Sequence, residues 1–408
     1  MDRKILQNTS TIFIAQAVVK IISFGYTIFL ARFLGVEAFG FYIAAVAYFS
    51  LISSIADFGF NRFIIREGAK DEKSLNRLLG ATVSLRIFLN LLIFVVFSFL
   101  ISQFDDNFIR VTLSIWAVLA VLPQSIALTF DAALVSREKF RFSALGLLGL
   151  SFATVILGGI FVIYGFGVLG VLIALFLAEV FYSIILGISL LVNKINFTTY
   201  LSYDDFKKIL AGSLPYGILM VLGLLYFRID SLMLSYMKGE YETGIYGAGF
   251  RFLEAAVFIP SALATALFPV LARLDEDFSQ TKKIYFSALK LLGLLSLPIT
   301  LLYFFVLPLL IPYLLPQYSD SVNVIKILSF TIPFMFLHVP AALVLQASSK
   351  YLKPMIYFSF FTLGFNIVLN LFLIPEYGFI GAAVATVASE ALSFIIFFGL
   401  IYSKILRR

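Results

Sequence analysis

The chain has 408 residues, of which 61% are hydrophobic and only 13% charged, with a mean hydropathy of +1.03. Soluble domains run near a quarter charged, so this composition excludes a water-soluble protein and makes lipid the solvent. The absence of cysteine excludes disulfides and thiolate chemistry, and a single histidine without clustered ligands argues against a protein metal site, so no metal and no cofactor are expected. The net charge of +7 is explained by membrane topology, developed below, and no nucleic-acid partner is expected.

The first apolar stretch, 11–33, follows Asp2-Arg3-Lys4, but it is longer than a secretory signal, carries Lys20 and lacks a clear small-residue cleavage site. It is expected to be a retained first span. A helix needs roughly 20 residues to cross the hydrocarbon core. Apolar runs of that length continue at 40–62, 78–102, 110–135, 142–164 and 168–192, then at 208–236, 243–272, 284–311, 322–347, 354–375 and 378–402. That makes an all-α integral membrane protein of about twelve helices. With the N-terminus inside, the inner segments hold 21 Lys and Arg, while the outer ones hold only Arg110 and Lys238. The positive-inside rule is then met at every loop, placing both termini in the cytoplasm of a plasma-membrane protein. All connections are short, so function is expected within the membrane.

GVLGVLIALFLAE at 167–179 and GFIGAAVATVASE at 378–390 share G-x-x-G followed by a glutamate, at an offset of 211. Lys139-Phe140 and Lys350-Tyr351 extend the match, and Gly40-Phe41-Tyr42 echoes Gly244-Ile245-Tyr246 at an offset of 204. The chain therefore reads as two six-helix lobes, 1–200 and 201–408, joined around 193–207. Six spans per lobe make the repeat parallel, with a pseudo-twofold axis along the membrane normal and an expected central cavity. Eleven of the twelve prolines follow residue 210, so the second lobe is expected to be the more kinked.

Ionisable groups in the bilayer core are costly and mark function or pairing. Lys20, Asp57, Arg86, Asp131, Glu179, Arg228, Asp230, Arg251, Glu254, His338 and Glu390 all fall in predicted spans. Arg86 and Asp131 lie near predicted helix ends and are expected to snorkel to the interface. Lys20, Arg228 and Arg251 are the substrate-binding candidates, arranged to pass an anionic headgroup outward. The competing account is structural, with Arg251 neutralised by Glu254 at i, i+3 and by Asp230 across the hairpin. Asp57, Glu179 and Glu390 are candidates for ion coupling or lobe packing. For the two repeated glutamates, hydrogen bonding to hydroxyls of their own lobe is preferred over ion coupling or a relic of duplication. His338 reads as a buried hydrogen-bonding residue before a proton relay. No G-x-x-x-x-G-K-[ST] loop, nucleophile elbow or H-E-x-x-H is present, so no catalytic residues are assigned.

The segments 346–390 (QASSKYLKPMIYFSFFTLGFNIVLNLFLIPEYGFIGAAVATVASE) and 11–60 resemble polysaccharide and O-antigen unit exporters over nearly the whole chain. That resemblance implies the multidrug/oligosaccharidyl-lipid/polysaccharide exporter fold. It also implies a polyprenyl-pyrophosphate-linked glycan carried to the outer leaflet, with a polysaccharide polymerase or ligase as a further partner. Lys20, Arg228 and Arg251 fit the basic residues that such exporters place around the pyrophosphate. The fourteen helices of lipid II flippases exceed the room in this chain. Two rivals stand beside this reading: an ion-coupled organic-cation antiporter of the same fold, and a polytopic enzyme of lipid-linked sugars.

Overall fold

The computed structural model describes residues 3–69, 72–197, 203–274, 278–347 and 351–403, and among these every regular element is helical. The first half of the chain forms α1 (Arg3–Leu34), α2 (Val36–Asp57), α3 (Phe60–Gly68), α4 (Glu72–Phe104), α5 (Phe108–Leu119), α6 (Val121–Ser136), α7 (Phe140–Ile163) and α8 (Gly167–Val192). The second half forms α9 (Tyr203–Lys238), α10 (Glu240–Leu274), α11 (Phe278–Leu301), α12 (Leu307–Leu314), α13 (Ser321–Ser329), α14 (Thr331–Ala347) and α15 (Leu352–Ile401). Lys350, Lys70, Lys404, Arg407 and Arg408, which entered the repeat match or the charge count, lie outside the described residues, as does 198–202 of the lobe junction.

This is a multi-pass membrane protein. Ten helical stretches of the described residues are long and apolar enough to cross a bilayer, and α13 with α14, bent by 42°, make a further span. The last stretch, Lys353–Ile401, has 49 residues. Held straight it would be about 70 Å long, more than twice the roughly 30 Å hydrocarbon core. Gly378, at φ 54° and ψ −131°, divides it into two spans and brings the described total to the expected twelve. Phe88, Leu91, Val95 and Phe99 are exposed along α4, as lipid-facing side chains should be.

The chain divides into two compact units, residues 1–34 with 41–224, and residues 35–40 with 225–408. In the first, α8 packs on α7 and α6, and α1 packs on α7. The second is built around α14, which packs on α15, α11 and α10. The second predicted span ends earlier than its apolar run: α2 stops at Asp57, and the chain turns through Phe58 (φ 40°) and Gly59 (φ 81°). It then enters α3, which buries Phe60, Phe63 and Ile64 and exposes Arg62 and Arg66, a helical amphipathic spacing. At the turn between α4 and α5, Asp105 accepts bonds from Arg110 and the Asn107 N–H. Burial pushes its carboxyl up, but these bonds and the Arg110 charge outweigh that and hold it below the usual carboxylate range.

The repeated phrase has a backbone explanation. Gly167 and Gly378 both take positive φ, 59° and 54°, which L side chains resist. Three residues on, a Cβ at Gly170 would strike Phe161 and Phe166, and one at Gly381 would strike the Leu373 carbonyl. The first glycine of each pair turns the chain, and the second lets the returning helix pass the departing one. The weaker echo is also structural. Gly35 and Gly239 carry φ 81° and 91°, and a Cβ at Gly40 would meet the Glu240 carbonyl while one at Gly244 would meet that of Val36. Val36 and Glu240 are themselves 204 residues apart, so the two crossings are reciprocal.

Kinks also occur at matching places. Pro123 follows the break at Ala120 by three residues, as Pro333 follows the break at Phe330. Each proline withholds the N–H that would have bonded the fourth residue before it, Leu119 or Ser329. In the second half, Pro298 is followed by a π-helical turn at Leu302–Val306.

Gly381→Ala is expected to destabilise the protein by about 1–3 kcal/mol, because backbone has to move. Gly364→Ala, in a helix interior where a Cβ would meet nothing within 4 Å, should not lower stability. Thermal unfolding of the two purified variants in detergent checks this pair.

Candidate functional site

In the N-terminal unit the deepest charge is Arg86. The expectation that it snorkels is corrected: it is fully buried. Its helix α4 begins at Glu72, several residues before the predicted span, so Arg86 stands four turns inside. Its guanidinium bonds the Asp57 carboxylate, Asn61 Oδ1 at 3.0 Å and the Ser125 carbonyl at 2.5 Å, while Asn90 bonds the Ser125 hydroxyl. Asp57 reaches it because α2 ends at that residue. Both charges are met within the unit, and the pair fastens α2, α4 and α6 together.

Glu179 on α8 is buried, and its Oε1 accepts from Gln124 Nε2 at 3.0 Å. Gln124 in turn accepts from the Ser53 hydroxyl at 2.5 Å, and the Ser183 hydroxyl donates to the Pro123 carbonyl. Lys20 lies on α1 with its side chain exposed at the surface of the unit. Gln16, also exposed, precedes it by four residues, and exposed Ser23 follows by three, so a polar stripe runs up one face of an otherwise apolar span.

In the C-terminal unit Arg228 of α9 and Arg251 of α10 come together on one carboxylate. Glu254 lies 2.8 Å from Arg228 and 2.6 Å from Arg251. Each of the three side chains keeps between 17 and 19% of its surface accessible. Two guanidiniums meet at one carboxylate with surface still accessible to a ligand, and planar guanidiniums match phosphate oxygens in pairs.

Asp230 does not join them. Two residues beyond Arg228, it points about 200° around α9, toward α15. Its carboxylate accepts from Asn370 Nδ2 at 2.6 Å, the Thr386 hydroxyl at 2.6 Å and the Tyr246 hydroxyl at 2.9 Å, and Asn370 also bonds Asn366 at 3.1 Å. All these donors are neutral. Beside them is a cavity of about 10 Å³ lined by Asp230, Asn366, Thr386, Glu390 and Tyr226 among others. That suffices for roughly one water or one bare small cation. Glu390 is buried with its Oε2 3.1 Å from His338 Nδ1, and His338 stacks on Phe397 with ring centroids 5.7 Å apart. The lining thus includes two carboxylates, an amide and two hydroxyls, hard oxygen donors that suit a small cation. Sequence reasoning did not assemble this cluster. Its signal was Asn366 and Asn370, four residues apart on one face of a membrane helix. Among the described residues no group of three or more His, Cys, Asp or Glu is placed to hold a metal ion.

Comparison with known proteins matches residues 5–275 to the family described as "Polysaccharide biosynthesis protein", and residues 215–372 to MatE. An uncharacterised membrane protein of Methanocaldococcus jannaschii is 26% identical over 205 residues, 49% of this chain and 47% of that one. The matched stretch spans about half the length of that curated relative. Among solved structures, the inward closed form of the lipid II flippase MurJ superposes with a TM-score of 0.77 at 13% identity, covering 96% of this chain and 87% of that one. An inward-facing multidrug resistance MATE family transporter of the MOP superfamily gives 0.75 at 16% identity, with 95% and 94% covered. A MOP superfamily transporter from Pyrococcus furiosus, described as having a binding pocket of reverse polarity, gives 0.67 at 16% identity, with 99% and 95% covered. At these identities the structural likenesses establish the fold.

Arg86→Met, which strands the Asp57 carboxylate in the interior, should cost about 3–5 kcal/mol and lower membrane abundance sharply. Asp57→Asn combined with Arg86→Met should recover most of that loss. Quantitative immunoblotting of the two variants beside the wild type, with melting curves of the purified proteins, tests the pair.

Proposed function

The chain belongs to the polysaccharide biosynthesis protein family and carries the MOP superfamily fold, and on that premise we propose that it is a flippase for a polyprenyl-pyrophosphate-linked oligosaccharide. It moves this lipid from the cytoplasmic to the outer leaflet by alternating access, for surface polysaccharide assembly, and carries out no catalysis of its own. The observation that carries the reading is the pair Arg228 and Arg251 sharing Glu254. An arriving pyrophosphate competes with Glu254 for two guanidiniums and can engage both, so the site is held in shape without cargo and gains charge-assisted bonds with it. Lys20, on the polar stripe of α1, is a separate point charge suited to a phosphate group. Both termini are cytoplasmic in the plasma membrane, and a polymerase or ligase takes up the cargo on the outer side.

Asp230 and Glu390 are the coupling groups. A carboxylate buried among neutral donors is costly in its charged form. Binding a proton or a monovalent cation relieves that cost, and releasing it restores it. Glu179 and Asp57, engaged by Gln124 and Arg86, hold the N-terminal unit together.

A second reading, an ion-coupled exporter of organic cations, draws on the same two carboxylates and on the MatE match over residues 215–372.

In proteoliposomes the wild type should transfer a fluorescent polyprenyl-pyrophosphate sugar between leaflets. Arg228→Ala should reduce that at least tenfold, because charge-assisted bonds are worth about 1.5–3 kcal/mol each, while the protein reaches normal levels. Transfer unchanged in Arg228→Ala removes the arginine pair from the path. Asp230→Asn should abolish the response to a proton or sodium gradient and leave slow, gradient-independent transfer. Efflux of an organic cation, with no lipid transfer by the wild type, would establish the second reading.

A further inference from the structure

We propose that the groove between α1 and α7 of the N-terminal unit holds the polyisoprenoid tail of the cargo lipid while its headgroup passes along the opposite face of α1. This rests on the lipid-linked cargo proposed above and adds where the apolar half of that cargo lies.

The groove has a volume of about 430 Å³, within the usual range for ligand sites. It is formed by Gly25, Tyr26 and Phe29 on α1 and by Ile156, Gly159 and Ile160, among others, on α7, with no charged residue in its lining. Both walls are open at a glycine: nothing lies within 4 Å of where a Cβ at Gly25 or Gly159 would stand. Neither residue needs to be glycine for its backbone or for close packing. Gly158 is the contrasting neighbour, because the Tyr26 hydroxyl lies where its Cβ would be. The Gly158-Gly159 pair therefore seats Tyr26 with one residue and leaves the groove unfilled with the other.

The second observation is the angular layout of α1. Gln16, Lys20, Ser23 and Thr27 fall within about 60° of one another, whereas Gly25, Tyr26 and Phe29 lie roughly 140–240° around from Lys20. Gln16, Lys20 and Ser23 are exposed. From Gln16 to Ser23 one side of α1 thus carries exposed polar groups beside the exposed Phe13, and the other is an apolar slot that begins about 8 Å farther along the axis than Lys20. A lipid whose head crosses the membrane while its tail stays in hydrocarbon can do so by straddling a helix, and α1 offers a polar and an apolar face for such a molecule. The wall favours a methyl-branched chain over a straight one. Exposed Ile156, Ile160 and Ile163 stand as ridges, and the glycines leave gaps into which branches fit.

The test is photo-crosslinking in nanodiscs, using a diazirine-bearing polyprenyl phosphate and a diazirine phospholipid, with labelled peptides mapped by mass spectrometry. The polyprenyl probe should label the segments 25–29 and 155–163, and unlabelled polyprenyl phosphate but not phospholipid should compete. Gly159→Phe, which fills open space, should cut that labelling roughly tenfold, about 1.4 kcal/mol of affinity. Gly364→Phe, in open space on another helix, should not. Equal labelling of the groove by the phospholipid, labelling spread evenly over the lipid-facing surface, or labelling unaffected by Gly159→Phe would each overturn the proposal. Leaflet transfer by the same variants separates the two readings. Transfer that survives Gly159→Phe undiminished sinks the role of the groove and leaves the flippase standing. Groove labelling by a wild type that transfers no lipid sinks the flippase and leaves the isoprenoid site.

Discussion

Inside a bilayer no water is available to complete the bonding of a polar group, and the arrangement of this molecule follows from that single shortage. The backbone answers it by being helical throughout the described residues. Side chains answer it by meeting partners on neighbouring helices of their own unit: Asp57 with Arg86, Glu179 with Gln124, Asp230 with Asn370, Thr386 and Tyr246, and Arg228 and Arg251 with Glu254. Among apolar faces that lipid would solvate equally well, these contacts supply the specificity with which helix meets helix.

The same shortage sorts the charges by how closely they are enclosed. The Asp57–Arg86 pair is neutral, buried and further bonded to Asn61 and the Ser125 carbonyl, so it leaves no net charge to draw a ligand. The arginine pair on Glu254 retains accessible surface. The Asp230 cluster is enclosed, with two carboxylates at the edge of one small cavity. An accessible pair of arginines and an enclosed pair of carboxylates thus stand within a single unit.

Glycines set the geometry that makes these contacts possible. At Gly167 and Gly378 they permit a turn of positive φ, and at Gly170 and Gly381 they let a returning helix pass close to the departing one. This is why the glycines of the phrase recur. Once the turn is set, the residue twelve places beyond it stands about 18 Å along the next helix, near mid-membrane.

Much of this was legible in the sequence. Hydropathy alone makes the chain a membrane protein, and the run lengths yield twelve spans, because each span is a property of its own twenty residues. The repeat was visible because a turn conformation that favours glycine leaves its mark at a fixed position. Even the Arg251–Glu254 contact could be read from i, i+3 spacing. What tertiary structure decided were the contacts between helices. Arg86 was expected at an interface and is enclosed, since the true start of α4 lies beyond the apolar run. Asp230 was expected to face Arg251 and instead turns to Asn370 and Thr386, which lie about 140 and 156 residues away. Periodicity tells which face of a helix a residue occupies, but which helix stands opposite that face is a property of packing, and no local pattern encodes it.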